Sequence, residues 1–169
     1  MASHGGIVGA LIGFLLWARK SKVDGWAVSD NAAVLAPVGI FLGRIANFIN
    51  GELWGRVSQV PWAVIFPDAA SKEPRHPSQI YEAIGEGLVL GLTMFWLRSK
   101  NPKPSGQVTG AFFVVYGTIR IGLEYFREPD AGDPLWMGLS RGQWFSVALI
   151  LVGLGIWGKR RGWRLKAGG

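Results

Sequence analysis

The stretch VYGTIRIGLEYFRE, residues 115–128, threads Tyr116, Arg120, Glu124 and Arg127 through apolar neighbours. On a helix turning 100° per residue these four fall within an arc of about 80°. One face would then carry a phenol, two guanidiniums and a carboxylate. Arg120 and Glu124, at i and i+4, form a natural ion pair, but that pair leaves Tyr116 and Arg127 without a reason. A second polar set, Arg44, Asn47, Asn50 and Glu52, closes an apolar run in GRIANFINGELWGR, residues 43–56. Guanidiniums grip phosphate or carboxylate through paired hydrogen bonds, so the chemistry expected of both sets is recognition of an anion.

Other chemistries are poorly supplied. With no cysteine, the chain has no thiolate of its own. Its two histidines, His4 and His76, read in isolation as helix-start or solvated residues, and Pro77 after His76 suits a first helical turn. Without cysteine or an H-E-x-x-H spacing no metal site is expected, nor any cofactor. GLSRG, residues 138–142, matches the G-x-S-x-G nucleophile motif, but a turn-rich segment precedes it where that motif needs a strand. Ser140 and Gln143 instead have the spacing of a capping box for the last helix.

The elements that position these residues are apolar. Five blocks, 7–18, 32–49, 80–97, 108–126 and 144–157, are separated by charged or turn-rich segments. Three approach the length that crosses a bilayer; the first and last are short unless flanking residues help. The expected fold class is all-α: a polytopic helical membrane protein with about five transmembrane helices in one domain, 1–169. Arg19, Lys20 and Lys22 follow the first block; Arg98, Lys100 and Lys103 the third; Lys159, Arg160, Arg161, Arg164 and Lys166 the last. Basic residues after alternate blocks follow the positive-inside rule and predict a cytoplasmic C-terminus. The net charge of +7 therefore does not imply nucleic acid.

Glycines four apart, at Gly5, Gly9 and Gly13, at Gly39 and Gly43, and at Gly87 and Gly91, predict close helix packing. Pro37 predicts a kink or a broken turn in the second helix. In this topology the ends bearing Arg44 and Arg120 lie in the same outer leaflet, where the phosphate always at hand is a lipid headgroup. Snorkelling explains Arg127 or Arg56 better than either of them.

Four motifs in order, HGG at 4–6, GRIANFINGELWGR at 43–56, HPSQIYE at 76–82 and YGTIRIGLEYFREPD at 116–130, with LSRGQ at 139–143, resemble bacterial prolipoprotein diacylglyceryl transferase over essentially the whole chain. The resemblance implies transfer of diacylglyceryl from phosphatidylglycerol to the lipobox cysteine thiol of a prolipoprotein, in the bacterial inner membrane, with glycerol phosphate leaving. It implies a lipid-phosphate contact at Arg44, an essential histidine at His4, and catalytic positions at Tyr116 and Arg120. Asn47, Glu52, Glu124 and Arg127 also fall on motif positions, and Asn50 and His76 join the substrate-binding set. His4 is the first candidate for the base and Tyr116, polarised by Arg120, the second.

Ala46 departs from the family's usual glycine. The larger departure is that the family carries about two further spans and a periplasmic arm before its HGG motif. The expectation is an N-terminally truncated gene model, poorly active alone, with an inactive fragment or a non-catalytic lipid-binding protein as the alternative.

Overall fold

The computed structural model describes residues 3–69, 71–101, 106–128 and 138–167, and only the backbone in 3–8, 10–11, 15 and 160–167. Among these residues five helices follow one another, one over each apolar block: α1 Ser3–Ser21, α2 Gly25–Ile49, α3 Ser78–Lys100, α4 Gln107–Leu123 and α5 Arg141–Ala167. The described residues contain no β-strand, only three isolated bridges in the segments between helices.

Residues Gly25–Ile49, Ser78–Lys100 and Arg141–Lys159 are long and apolar enough to cross a membrane. Helix α4 is apolar but has 17 residues, about 25 Å of rise, a little short of a hydrocarbon core. The side-chain distribution is that of a helical membrane protein. Leu35, Leu42, Leu92, Phe95 and Leu151 are exposed, whereas Asp30, Gln79, Glu82, Glu86 and Ser146 are buried. In water that arrangement would forfeit the hydrophobic gain of burial; in lipid it exposes only what the solvent accepts.

Helix starts and stops follow local chemistry. The Asp24 side chain accepts the Trp26 N–H at 2.9 Å and starts α2. Helix α2 ends in a Schellman motif: the Gly51 N–H reaches the Phe48 carbonyl at 3.1 Å and the Glu52 N–H reaches that of Asn47 at 3.0 Å. Gly51 has φ +67, the left-handed conformation that glycine adopts without a Cβ penalty. At α5, Ser140 and Gln143 form the expected capping box. The Gln143 N–H donates to Ser140 Oγ at 3.2 Å, and the Ser140 N–H donates to Gln143 Oε1 at 3.0 Å.

Close approach at small residues assembles the bundle. A Cβ on Gly87 would lie 2.6 Å from the Phe41 Cβ, and one on Gly91 would lie 3.3 Å from the Pro37 Cβ. This pair therefore seats α3 on α2, as expected. The α4–α5 contact brings backbone against backbone: a Cβ on Gly153 would meet the Gly110 carbonyl oxygen at 2.6 Å. Gly9, Gly13, Gly39 and Gly43 meet nothing within 4 Å, so among the described residues they are not the packing seams expected of them. Helix α2 runs unbroken through Pro37, because a buried proline loses one backbone hydrogen bond that packing against α3 offsets.

A small core of Ala33, Leu90, Met94, Val108 and Ala111 joins α2, α3 and α4, with Phe112, Tyr116 and Ile119 against it. At one end of this core the buried Asp30 carboxylate on α2 accepts the Gly106 N–H at 3.0 Å, the Thr109 N–H at 2.9 Å and the Thr109 hydroxyl at 2.7 Å. It caps α4 from a neighbouring helix and stabilises the positive end of the dipole. The other end of the core carries the charges.

Candidate functional site: a guanidinium–carboxylate square

Arg44, one and a half turns before the end of α2, and Arg120, in the last turn of α4, converge on α3. Arg44 Nη1 lies 2.9 Å from Glu82 Oε2 and its Nη2 lies 3.2 Å from Glu86 Oε2. Arg120 Nη1 lies 2.8 Å from Glu82 Oε1 and 3.4 Å from Glu86 Oε1. Each guanidinium bridges both carboxylates, and each carboxylate offers one oxygen to each arginine. The glutamate side chains are 1% and 0% exposed, and the arginines 17% and 12%. The expectation that Arg44 and Arg120 meet at one end of the bundle holds in the structure.

Helix α3 supplies this geometry. Gln79, Glu82 and Glu86 lie on one face, and π-turns over Ala83–Val89 carry the helix through the second carboxylate. Such widened turns recur at functional sites because they re-aim side chains without breaking the helix. Burying carboxylates in lipid is costly, and the two guanidiniums compensate the cost only when both are present. The Arg44–Glu82 contact is close but poorly aligned as a hydrogen bond, which leaves Glu82 Oε2 without a hydrogen-bond donor among the described residues. The buried Gln79 Oε1 also has no donor, although Gln79 Nε2 donates to the Glu52 carbonyl at 2.7 Å.

A third carboxylate joins from beyond α4. Glu124 Oε2 lies 3.2 Å from Arg120 Nη2, the expected i,i+4 pair, and Glu124 Oε1 accepts the Ser140 hydroxyl at 2.8 Å. A Cβ on Gly142 would lie 2.9 Å from Glu124 Oε1, so the carboxylate rests on the first turn of α5, where the helix dipole favours negative charge. Tyr116 lies in the field of Arg44, Arg120, Glu82 and Glu86, and its ring stacks on Phe112 with centroids 5.8 Å apart. Its hydroxyl makes no hydrogen bond to Arg120 among the described residues, so contact does not supply the polarisation expected of Arg120.

Other expected site residues stand apart from this square. Asn47 and Asn50 donate to Glu52 Oε1 at 3.0 and 3.3 Å, and together they lock the turn that ends α2. Arg127 was expected on the stripe with Tyr116, Arg120 and Glu124. Helix α4 stops at Leu123, and Arg127 instead pairs through its backbone with Gly55, while its carbonyl accepts Arg56 Nε at 2.9 Å. The chain turns away because the loop after α2 must cross here. A Cβ on Gly55 would lie 2.5 Å from the Phe126 carbonyl oxygen and 2.6 Å from that of His76, a passage only glycine fits.

His76 belongs to the same loop. Its Nδ1 is 3.1 Å from the Tyr81 hydroxyl, to which Trp62 Nε1 also donates at 2.5 Å, and Phe126 packs edge-on against both rings. This cluster braces the loop. The His4 side chain lies outside the described residues.

Glu82 and Glu86 are the residues that sequence reasoning passed over. A signal was present, since both are carboxylates inside an apolar block. Nothing along the chain said which arginines they would meet.

Comparison with known proteins identifies a family. The family model described as prolipoprotein diacylglyceryl transferase matches residues 1–158. A protein of Bordetella avium (strain 197N) called phosphatidylglycerol–prolipoprotein diacylglyceryl transferase is 50% identical over 155 residues, covering 91% of this chain and 58% of that relative. A protein of the same name from Nitrosomonas europaea is 49% identical over 158 residues, covering 92% of this chain and 56% of the relative. Another from Idiomarina loihiensis is 47% identical, covering 91% and 58%. The chain spans a little under three fifths of the length of these curated relatives.

Proposed function

Because the chain belongs to the prolipoprotein diacylglyceryl transferase family, we propose that its charged end binds the phosphate of phosphatidylglycerol and takes part in diacylglyceryl transfer to a prolipoprotein cysteine, in a multi-pass protein of the bacterial inner membrane. The observation that carries this reading is the convergence of Arg44 and Arg120, from separate helices, on one cluster at the same end of the bundle.

The chemistry is a substitution at carbon. The substrate's thiol sulfur attacks the glycerol carbon that bears the phosphate. An S–C bond forms, the C–O bond breaks, and its electron pair leaves with glycerol phosphate. Charge grows on the leaving phosphate, so preorganised guanidiniums lower the barrier. The thiol proton goes to a base, His4 in the first instance and Tyr116 in the second. Glu124 positions Arg120, and Asn47, Asn50 and Glu52 hold the turn that ends the helix carrying Arg44. Arg127 and His76 act from the loop that closes this end.

The test is transfer of radiolabelled diacylglyceryl from phosphatidylglycerol to a synthetic lipobox peptide, using membranes that carry the chain, whose own rate, expected to be low, is the reference for each variant. Replacing Arg44 or Arg120 by Gln is expected to lower transfer by about 10²-fold or more, and wild-type rates in those variants would overturn the reading. Full transfer by His4→Gln would remove His4 as base. The closed pairing of both arginines with glutamates favours one competing reading, a structural ion cluster in a lipid-binding protein. Lipid retention without transfer would select it.

A further inference from the structure

We propose that Glu86 is a proton-coupled counter-ion, which releases the Arg44–Arg120 pair to an anionic headgroup by taking up a proton. The proposal rests on the reading that these arginines receive the lipid phosphate.

It starts from a charge count. Arg44 and Arg120 bring two positive charges, and Glu82, Glu86 and Glu124 bring three negative ones within ion-pair distance of them. The cluster is therefore already one charge negative. A phosphodiester adds another negative charge in the same desolvated volume, where like charges repel strongly and one of them is forced to neutralise. The guanidinium edges that a phosphate needs are also those the glutamates occupy. Neutralising one carboxylate answers both problems, since a carboxylic acid repels less and grips a guanidinium weakly.

Glu86 is the carboxylate whose surroundings favour this. Glu82 Oε1 has the shortest ion-pair contact of the cluster, 2.8 Å from Arg120 Nη1, while its Oε2 lies 2.9 Å from Arg44 without a hydrogen bond; Glu124 keeps the Ser140 hydroxyl and the first turn of α5. Glu86 has only the two longer contacts, 3.2 and 3.4 Å, and is wholly buried. The groups that face it are Arg44 from α2, Arg120 and Tyr116 from α4 and Glu82 on its own helix, with Glu124 beyond Arg120. The step balances simply: one proton from water joins one Glu86 oxygen as the phosphate takes up the freed guanidinium hydrogen bonds.

The experiment measures binding of phosphatidylglycerol in phosphatidylcholine nanodiscs to the full chain between pH 5 and 9. Proton uptake is read at the same time with an indicator dye in weak buffer. In the wild type, affinity falls by about tenfold per pH unit over the alkaline part of the range, as linkage to one proton requires, and about one proton is taken up per lipid bound. Glu86→Gln binds at the wild type's acid-limit affinity at every pH, without uptake, and Glu86→Asp restores the slope. A wild type without slope or uptake overturns the proposal. So does a folded Glu86→Gln protein that keeps the wild-type slope or loses binding at all pH values. If Glu86→Gln fails to fold, wild-type proton uptake decides alone. A wild type that never prefers phosphatidylglycerol to phosphatidylcholine overturns the phosphate-site reading itself, a different failure from bound lipid without proton coupling.

Discussion

Arg120 touches all three carboxylates of the cluster, so its removal distinguishes a paired network from an incidental contact. Arg120→Met leaves Glu82 and Glu86 buried with half their positive partners gone, a change that typically costs about 3–5 kcal/mol. It is expected to lower the thermal unfolding midpoint in detergent sharply. Arg56→Met, at an exposed position whose Nε reaches one carbonyl, is expected to shift stability by no more than about 0.5 kcal/mol. Equal effects of the two would mean that the square contributes no more than a surface contact. Arg44 and Arg120 were legible in the sequence as expensive residues in apolar helices. Their pairing with Glu82 and Glu86 was not, because it spans 34 to 42 residues and no helical period links the partners.

At the scale of elements, α5 is tied to the site at one point. Ser140 caps the helix and donates to Glu124. Ser140→Ala is expected to cost about 1 kcal/mol through the cap, and to reduce transfer further because Glu124 loses a hydrogen bond while still facing Arg120. Ser140→Thr, which keeps both bonds, is expected to restore most of each. Losses confined to stability would limit Ser140 to capping. The seam between α4 and α5 gives a second test. Gly153→Leu drives a side chain into the Gly110 backbone, and overpacking of this kind costs about 1–3 kcal/mol, whereas Gly39→Leu faces open space and is expected to be nearly neutral by the same unfolding measurement. The capping box was readable because it lies within four residues. The glycine seams were only half readable, since small-residue spacing says that close approach is possible and not which pairs use it.

For the whole molecule, the basic residues after alternate helices predict an orientation that a cysteine-free chain makes easy to measure. Trp62→Cys, in the loop after α2, is expected to react with a membrane-impermeant maleimide in intact cells. Lys100→Cys, at the end of α3, is expected to react only after permeabilisation. The reverse pattern would invert the topology and move the charged end to the cytoplasmic face, against the proposed function.

The sequence by itself determined that this is a helical membrane protein, that its helices lie over the five apolar blocks, and that Arg44 and Arg120 reach the same end. Those properties follow from composition, periodicity and charge asymmetry, all of which are local or additive along the chain. Only the tertiary structure decided that both arginines close on Glu82 and Glu86, that Asn47, Asn50 and Glu52 serve a turn, and that Arg127 leaves the helix for the loop. Those outcomes depend on which helix faces meet. That is set by shape, at contacts such as Gly87 against Phe41 and Gly153 against Gly110, and shape at a contact is a property of two segments at once.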